Sequence, residues 1–224
     1  MFSRTSNWFV SLVLCYSLLV SGLPVEAQTP LKNSDDSNIK WAVVKGFRSA
    51  QFGTNEKSVY RAIARDFGLS KKKVKRSIHP TEKTTSMEIL VPDLFKTGGT
   101  AKIAYLLGYK SKKLFQVTIV WGKGAAKKVD GQGVVDTANL LRNHFTKKKY
   151  KKEGLVVNAK LDKTTTIVFR GKDGKNRMIL LVLTTPKTKE GEAFEETVKN
   201  VSLKLSYLLN PDNPDILAVK DDEF

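Results

Sequence analysis

One strand sequence occurs twice in this chain. Lys-Ile-Ala-Tyr-Leu-Leu at residues 102–107 returns almost unchanged as Lys-Leu-Ser-Tyr-Leu-Leu at residues 204–209. The similarity extends past a turn, into residues 114–117 and 216–219. Self-similarity at a fixed spacing indicates a duplicated supersecondary unit. The sequence therefore predicts a duplicated hairpin, and this constrains the architecture more strongly than the propensity of any single segment.

The similarity continues upstream of the hairpins. Amphipathic helix patterns end at Phe67 and Phe145, and related threonine-rich stretches follow at residues 84–89 and 164–169. Each copy has the order helix, basic linker, strand and hairpin, in which a helix buries one face of an antiparallel sheet. The sequence predicts an α+β fold of two tandem repeats, each a helix plus a short helix packed on an antiparallel β-hairpin sheet.

The composition of the chain suggests where the repeats begin and end. Residues 41–122 are predicted to form the first repeat, and residues 134–224 the second, with an insertion at about residues 174–198. The glycine-rich stretch at residues 123–133 is the predicted linker. If the copies are equivalent, Tyr105 and Tyr207 lie on the same sheet face, each in the first strand of its hairpin.

Some shorter segments carry local signals. Ser70 is predicted to cap a short helix that runs to Ile78, and Asp173-Gly174 is typical of a hairpin turn. Residues 201–209 fit both a strand and a helix by periodicity, and the repeat favours a strand. A short helix is predicted at about residues 190–200.

The amino-terminal segment has the pattern of a secretory signal peptide. Residues 1–27 place Arg4 before an apolar run and end in small residues at Val25 and Ala27. We expect cleavage to leave a mature chain that begins near Gln28, with a flexible polar leader over residues 28–40. The apolar run is short for a membrane span, although retention as an anchor is the alternative. A periplasmic or secreted location without a membrane span after cleavage follows.

Cysteine usage restricts what holds the mature protein together. Cys15 is the one cysteine of the chain, and it lies within the apolar run. Leu14 precedes it where a lipoprotein signal requires a small residue, so lipidation is not expected. The mature chain would then contain no disulfide, and core burial alone would stabilise the fold.

The chain is strongly basic, with a formal net charge of +17. Much of the charge falls in two clusters that follow the two predicted helices. The first basic run comprises Lys71, Lys72, Lys73, Lys75 and Arg76, and the second basic run comprises Lys147, Lys148, Lys149, Lys151 and Lys152.

Two interpretations of these runs stay open. They would form a partner-binding positive stripe that attracts a protein partner or an anionic envelope polymer such as lipopolysaccharide. Alternatively, they form only a solvated lysine-rich surface. Nucleic acid is an unlikely partner, because secretion removes the chain from most of it and lysine exceeds arginine where base recognition favours arginine.

The helix-opening pattern Gly53, Thr54 and Val59, together with the tandem helix-and-hairpin units, carries a family resemblance. It resembles the small lipoproteins of outer-membrane assembly (SmpA/OmlA-like) and their tandem relatives, the secreted β-lactamase-inhibitor proteins. The best match covers about residues 46–122. The resemblance implies non-enzymatic protein binding through an exposed sheet face, and it assigns no contact residues.

The sequence offers little evidence for catalysis. No nucleophile elbow, phosphate-binding loop or metal-ligand cluster occurs in it. His79 with Glu82 could serve as a general acid or base, but a loop histidine before proline is more often structural. We therefore predict a secreted or periplasmic non-enzymatic binding protein without catalytic, metal or cofactor site. An envelope polyanion-binding protein and an unrecognised hydrolase are the alternatives.

Two tryptophans of the predicted mature chain allow a second reading of the binding surface. Trp121 keeps the alternation of Phe115 and Val117, which places it in the core, whereas Trp41 flanks the polar leader. An aromatic contact patch formed by Trp41 and Trp121 is the alternative.

Overall fold

The computed structural model describes residues 41–186 and 200–218. Their strands are β1 (Gly46–Phe47), β2 (Ala50–Gln51), β3 (Lys75–Ile78), β4 (Thr85–Phe95), β5 (Gly99–Leu107), β6 (Leu114–Gly122), β7 (Val156–Lys160), β8 (Thr165–Lys172), β9 (Met178–Thr184) and β10 (Ser202–Leu208). The helices are α1 (Glu56–Phe67) and α2 (Gly131–Thr146). The predicted signal peptide, the predicted leader and most of the predicted helix at residues 190–200 lie outside the described residues.

Eight of the strands form one continuous antiparallel sheet. Their order is β3-β4-β5-β6-β10-β9-β8-β7. Helix α1 is followed by strands β3 to β6, and helix α2 by strands β7 to β10. Each set of four strands runs from one outer edge of the sheet to its centre. The two sets meet where β6 pairs with β10 over seven residue pairs, from Gln116–Leu208 to Gly122–Ser202.

The strands alternate between buried and half-exposed residues, so the sheet has one buried face. Both helices pack against that face. On β5, Ala101, Ile103, Tyr105 and Leu107 are buried, and the residues between them are half-exposed. The buried residues join the apolar side of both helices in one core. An alternating sheet covered on one face is the usual arrangement for antiparallel strands.

Local sequence explains where the helices begin and end. The Asn55 side chain accepts a hydrogen bond from the Ser58 amide at 3.0 Å and caps the start of α1. Gly68 ends α1 in the left-handed conformation, with φ 67°, which glycine adopts without strain. Asp130 caps α2 in the same way through the Gly133 amide.

The architecture corrects the fold class predicted from the sequence. The described residues contain two α-helices and a single eight-stranded sheet, not two helix-on-hairpin repeats. Each helix is followed by a four-stranded meander rather than by a hairpin, and β6 and β10 join the two meanders edge to edge. Most of the fold is therefore sheet, and its core is shared between the two halves.

Three local predictions are also wrong. The short helix predicted from Ser70 to Ile78 is a 3-10 turn at Lys71–Lys73 followed by edge strand β3. Residues 131–133 form the first turn of α2 and not the end of a linker. The second copy of the predicted hairpin is absent from the described residues, because no strand follows β10 there.

Other local predictions are confirmed. Residues 202–208 form strand β10, and the Asp173-Gly174 turn connects β8 to β9. Trp121 is fully buried. Tyr105 and Tyr207 both pair with Val117, one from each side of β6, so they share a sheet face. They are not equivalent in order, because β5 is the third strand of its meander and β10 is the fourth.

The end of the described chain runs along one end of the sheet. The Asp215 carboxylate accepts hydrogen bonds from the amides of Lys110 and Ser111, each at 2.9 Å, in the turn between β5 and β6. The Leu217 amide donates to the carbonyl of Glu82 at 2.9 Å. These contacts fix the position of residues 210–218 at one end of the strands. None of the helices within the described ranges combines the length and apolar character needed to cross a membrane.

Candidate binding surface

The sheet face that points away from the helices is not covered by any helix or strand of the described residues. We call it the open face. At its centre lie side chains that alternate with the core residues of four strands; most are half-exposed, Lys204 is exposed and Ser206 is buried. These are Lys102, Ala104 and Leu106 of β5, Gln116, Thr118 and Val120 of β6, Leu180 and Val182 of β9, and Lys204, Ser206 and Leu208 of β10.

Small residues form the floor of the open face. Ala104, Thr118 and Ser206 are direct neighbours across β5, β6 and β10. The hydroxyls of Thr118 and Ser206 lie 3.4 Å apart, and the side-chain amide of Gln116 donates a hydrogen bond to the Thr118 hydroxyl at 2.9 Å. A depression of about 340 Å³ opens over this floor on the β3 side. Small side chains between longer ones leave room for side chains of another molecule.

Apolar and cationic residues alternate along the next row of the open face. Val120 pairs with Lys102 on one side and with Lys204 on the other, and Lys204 pairs in turn with Val182. Leu90 of β4 extends the row and is 56% exposed. The row combines exposed aliphatic side chains with positive charge. Exposed apolar surface bordered by polar groups is typical of a site that binds another molecule.

The first basic run lies at one edge of the sheet. Lys71, Lys72 and Lys73 form the exposed 3-10 turn, and Lys75 and Arg76 are in edge strand β3. Arg76 makes an ion pair with Glu56 of α1 at 3.0 Å. Lysines on an edge strand also discourage pairing with another sheet.

The second basic run lies between α2 and edge strand β7. Tyr150 anchors it, because this residue is 5% exposed and its ring packs edge-on against Phe169 at 5.1 Å. Lys151 donates to the Asn176 side chain at 2.9 Å. The Lys149 ammonium lies 4.5 Å from the centre of the Trp41 ring. Lys147, Lys148 and Lys152 are exposed.

The second basic run lies close to His144, in the last turn of α2. The pKa of His144 is lowered, first by partial burial and then by the nearby charges of Lys148 and Lys147. The dipole at the end of a helix by itself favours a charged histidine. Burial disfavours the protonated imidazole, and the like charges of the two lysines add to this effect, so the pKa is lowered in spite of the helix dipole.

The fold separates the two basic runs. They lie beside β3 and β7, which are the opposite edges of the eight-stranded sheet. At a strand spacing of about 4.8 Å, the edges are roughly 34 Å apart. The runs therefore form two basic borders and not one continuous stripe. Lys102 and Lys204 lie between them on the open face, and sequence reasoning did not single these two lysines out.

The residues considered for catalysis or aromatic contacts have local structural roles. The Glu82 amide donates to Nδ1 of His79 at 3.1 Å, within the turn between β3 and β4. Trp121 lies in the core, whereas Trp41 is 51% exposed and contacts Lys149, so the two do not form one patch. Over the described part of the chain, no group of three or more acidic, histidine or cysteine side chains is arranged to hold a metal ion.

Comparisons with known proteins add no further constraint. No protein-family model matches the chain, and no curated protein or solved structure is significantly similar to it. The resemblance to the small outer-membrane-assembly lipoproteins and the β-lactamase-inhibitor proteins thus stays a prediction.

Neutralising the exposed lysines of both basic runs should leave the fold intact. We expect replacement of Lys71, Lys72, Lys147, Lys148 and Lys152 by glutamine to change the free energy of unfolding by less than about 0.5 kcal/mol per substitution, because single surface substitutions rarely cost more. Association with a charged partner should become slower and less sensitive to salt. Urea unfolding and capture from an envelope extract at two salt concentrations measure these effects. Unchanged capture at low salt would mean that the runs are only a solvated surface.

Proposed function

We propose that this chain is a secreted or periplasmic, non-enzymatic binding protein that engages a protein partner through the open face, with the basic runs at its borders. The location rests on the signal-peptide pattern of residues 1–27. The binding role rests on one observation above all, which is the uncovered sheet face with its aliphatic and cationic side chains. No element within the described ranges covers this face.

Physical chemistry favours a packed protein partner over solvent on this face. Leu106, Val120 and Val182 are half-exposed neighbours of buried strand residues, and covering them removes apolar area from water. Burial of apolar area contributes about 25 cal/mol per Å². The rigid sheet holds these side chains in place before binding, which reduces the entropy lost on association.

A polyanion-binding role is the second candidate, and the net charge of +17 favours it. The two basic runs lie at opposite sheet edges, so one polymer would have to cross the whole sheet to contact both. Binding of this kind weakens steeply with salt, because it depends on the release of counterions. A packed protein interface keeps much of its affinity under the same conditions.

Site-specific photo-crosslinking tests the proposal. We would place a photoreactive amino acid at Gln116, on the open face, and at Leu140, which is 51% exposed on α2, as the matched control. Irradiation of an envelope extract should give a discrete protein adduct from position 116 and none from position 140. The adduct should persist at about 1 M salt, where exposed charges are screened.

Three outcomes would count against the proposal. Adducts from position 140 alone would place the interface on the helical side of the molecule. Equal labelling from both positions would indicate nonspecific contact. Retention of anionic polymer instead of protein, lost at high salt, would favour the polyanion-binding alternative.

A further inference from the structure

Some of the charged groups on and beside the open face are already paired within the molecule. Lys172 is paired with Asp212 at 2.9 Å. The Arg170 Nε donates to the carbonyl of Gly154 at 3.0 Å. Lys102 and Lys204, in contrast, make no ion pair or side-chain hydrogen bond with any residue in the described ranges. These two lysines therefore carry the accessible positive charge at the centre of the open face.

The strand register fixes the spacing of the two lysines. Lys102 of β5 and Lys204 of β10 both pair with Val120 of β6, so they lie on either side of it in the same row. Two strand spacings separate their backbones by roughly 9.5 Å. The arrangement presents a cation, an aliphatic group and a second cation in a line across the strands.

Glu82 and Glu88 line the depression beside Lys102, but neither lies in the row that contains the two lysines. Glu88 of β4 is the carboxylate nearest in register, and its side chain accepts a hydrogen bond from the Ser86 hydroxyl at 3.4 Å. Glu88 pairs across the sheet with Lys75 and Ala104, which places it in the neighbouring row. The row that contains Lys102 and Lys204 has no acidic member on β4, β5, β6, β10, β9 or β8.

We infer that the open face binds an acidic protein surface that presents two carboxylates to Lys102 and Lys204, with an apolar side chain between them against Val120. The inference rests on the proposed function and names the chemistry of its partner. Opposite charges steer association and fix the register of an interface. The aliphatic contact at Val120 and Val182 selects a protein surface over a sulfated or phosphorylated polysaccharide, because the sugar chain offers these side chains no apolar group to cover them.

A selection with a defined probe tests this inference. A library of random twelve-residue peptides displayed on yeast would be sorted against the fluorescently labelled protein at physiological salt. The test variant is Lys102→Glu with Lys204→Glu. The matched control is Arg61→Glu with Arg65→Glu, two exposed cations of α1 on the other side of the molecule. Both variants lower the net charge by the same amount, so a general charge effect reduces binding equally in both.

The inference predicts selected peptides that contain acidic residues spaced around an aliphatic or aromatic residue. Their affinity should fall by at least about tenfold with the Lys102 and Lys204 variant and change little with the control. Ala104→Gln, which fills the floor of the open face without altering charge, should also weaken them. If the double glutamate variant does not fold, as judged by circular dichroism, double glutamine variants replace both it and its control.

Other outcomes separate this inference from the proposed function. One outcome is the selection of uncharged peptides that bind more weakly to Ala104→Gln but equally well to the Lys102 and Lys204 variant. This result would overturn the inference of an acidic partner and retain the open face as the binding surface. Peptides affected by the Arg61 and Arg65 control, and unaffected by Ala104→Gln, would overturn both. Failure to select any peptide that responds to the open-face variants would also overturn both.

Discussion

Replacing Asp173 by alanine is expected to lower the free energy of unfolding by about 3–5 kcal/mol, the usual cost of removing one partner from a buried charged pair. The side chain of Asp173 is 1% exposed, and it makes an ion pair with Arg177 at 2.7 Å. Its carboxylate also accepts hydrogen bonds from the amides of Val44, Lys175 and Arg177 at 2.8–3.0 Å.

The large effect has two physical causes. Alanine would leave the Arg177 guanidinium, which is 16% exposed, without its counter-ion. It would also leave the amide of buried Val44 without an acceptor, and this hydrogen bond fixes the amino-terminal segment of the described chain to the turn between β8 and β9. An unsatisfied buried donor costs its full desolvation penalty.

Urea unfolding followed by circular dichroism measures the change, and Asp212→Ala is the control. Asp212 also makes an ion pair, in its case with Lys172, but its side chain is 69% exposed. Removal of an exposed ion pair should cost less than about 1 kcal/mol. Equal losses for the two variants would mean that burial of Asp173 does not determine its contribution.

The same carboxylate should make stability depend on pH. Burial acts to raise the pKa of Asp173, but hydrogen bonds from the Val44 amide and from Arg177 outweigh it, so the pKa is lowered from its ordinary value of 3.8. A depressed pKa in the folded state contributes stability that is complete above the unfolded value and is lost as pH falls toward the folded value. The stability difference between the wild type and Asp173→Asn should therefore shrink below about pH 4.

Sequence reasoning located this turn but not its importance. Asp173-Gly174 predicted the hairpin correctly, because turn signals are local. The burial of the carboxylate depends on Val44, which is distant in the chain and reaches the turn only after the sheet has formed. Contacts of this kind carry no local sequence pattern.

The predicted repeat matched two strands that have similar sequences but do not occupy equivalent places in the fold. β5 and β10 flank β6 on its two sides, and Tyr105 and Tyr207 both face Val117. Both strands therefore need the same alternation of core and open-face residues, which produces similar sequences at non-equivalent places in the fold. Other parts of the predicted repeat do correspond in the fold. Phe67 and Phe145 lie in the last turns of α1 and α2, and the threonine-rich stretches at residues 84–89 and 164–169 lead into β4 and β8, the second strands of the two meanders.

Some of the candidate binding residues could be predicted from the sequence, and others could not. The two basic runs are visible in the sequence because their lysines are contiguous, and the fold then places them at opposite edges. Lys102 and Lys204 each appear as a single lysine in an alternating strand, which by itself indicates only a solvent-facing position. Their proximity depends on the order β5-β6-β10, and strand order is not encoded in the periodicity of any one strand.

Replacing Trp121 by alanine is expected to lower the free energy of unfolding by about 3–5 kcal/mol, the range for truncating a buried aromatic side chain. Trp121 is fully buried on β6 and pairs with Ala101 of β5 and Leu203 of β10. Its ring centre lies 5.8 Å from that of Phe95. A side chain with neighbours on every side leaves a cavity that the core cannot easily fill.

The position of Trp121 makes this variant a test of the shared core. A Cβ atom built on Gly98 would lie 2.8 Å from both the Trp121 ring and the hydroxyl of Thr137, so the β4–β5 turn, β6 and α2 meet at this point. Because the strand belongs to the first meander and the helix to the second half, loss of the ring should destabilise both halves together. Unfolding should remain a single cooperative transition at a lower urea concentration.

Two further variants complete the test. Trp121→Phe should cost less than the alanine variant, because it keeps most of the ring and removes an indole N–H that has no acceptor among the described residues. Trp41→Ala, at a position that is 51% exposed, should cost about 1 kcal/mol or less. Two separate transitions in Trp121→Ala, with only one of them shifted, would contradict a shared core, because the meanders would then unfold independently in spite of the pairing between β6 and β10.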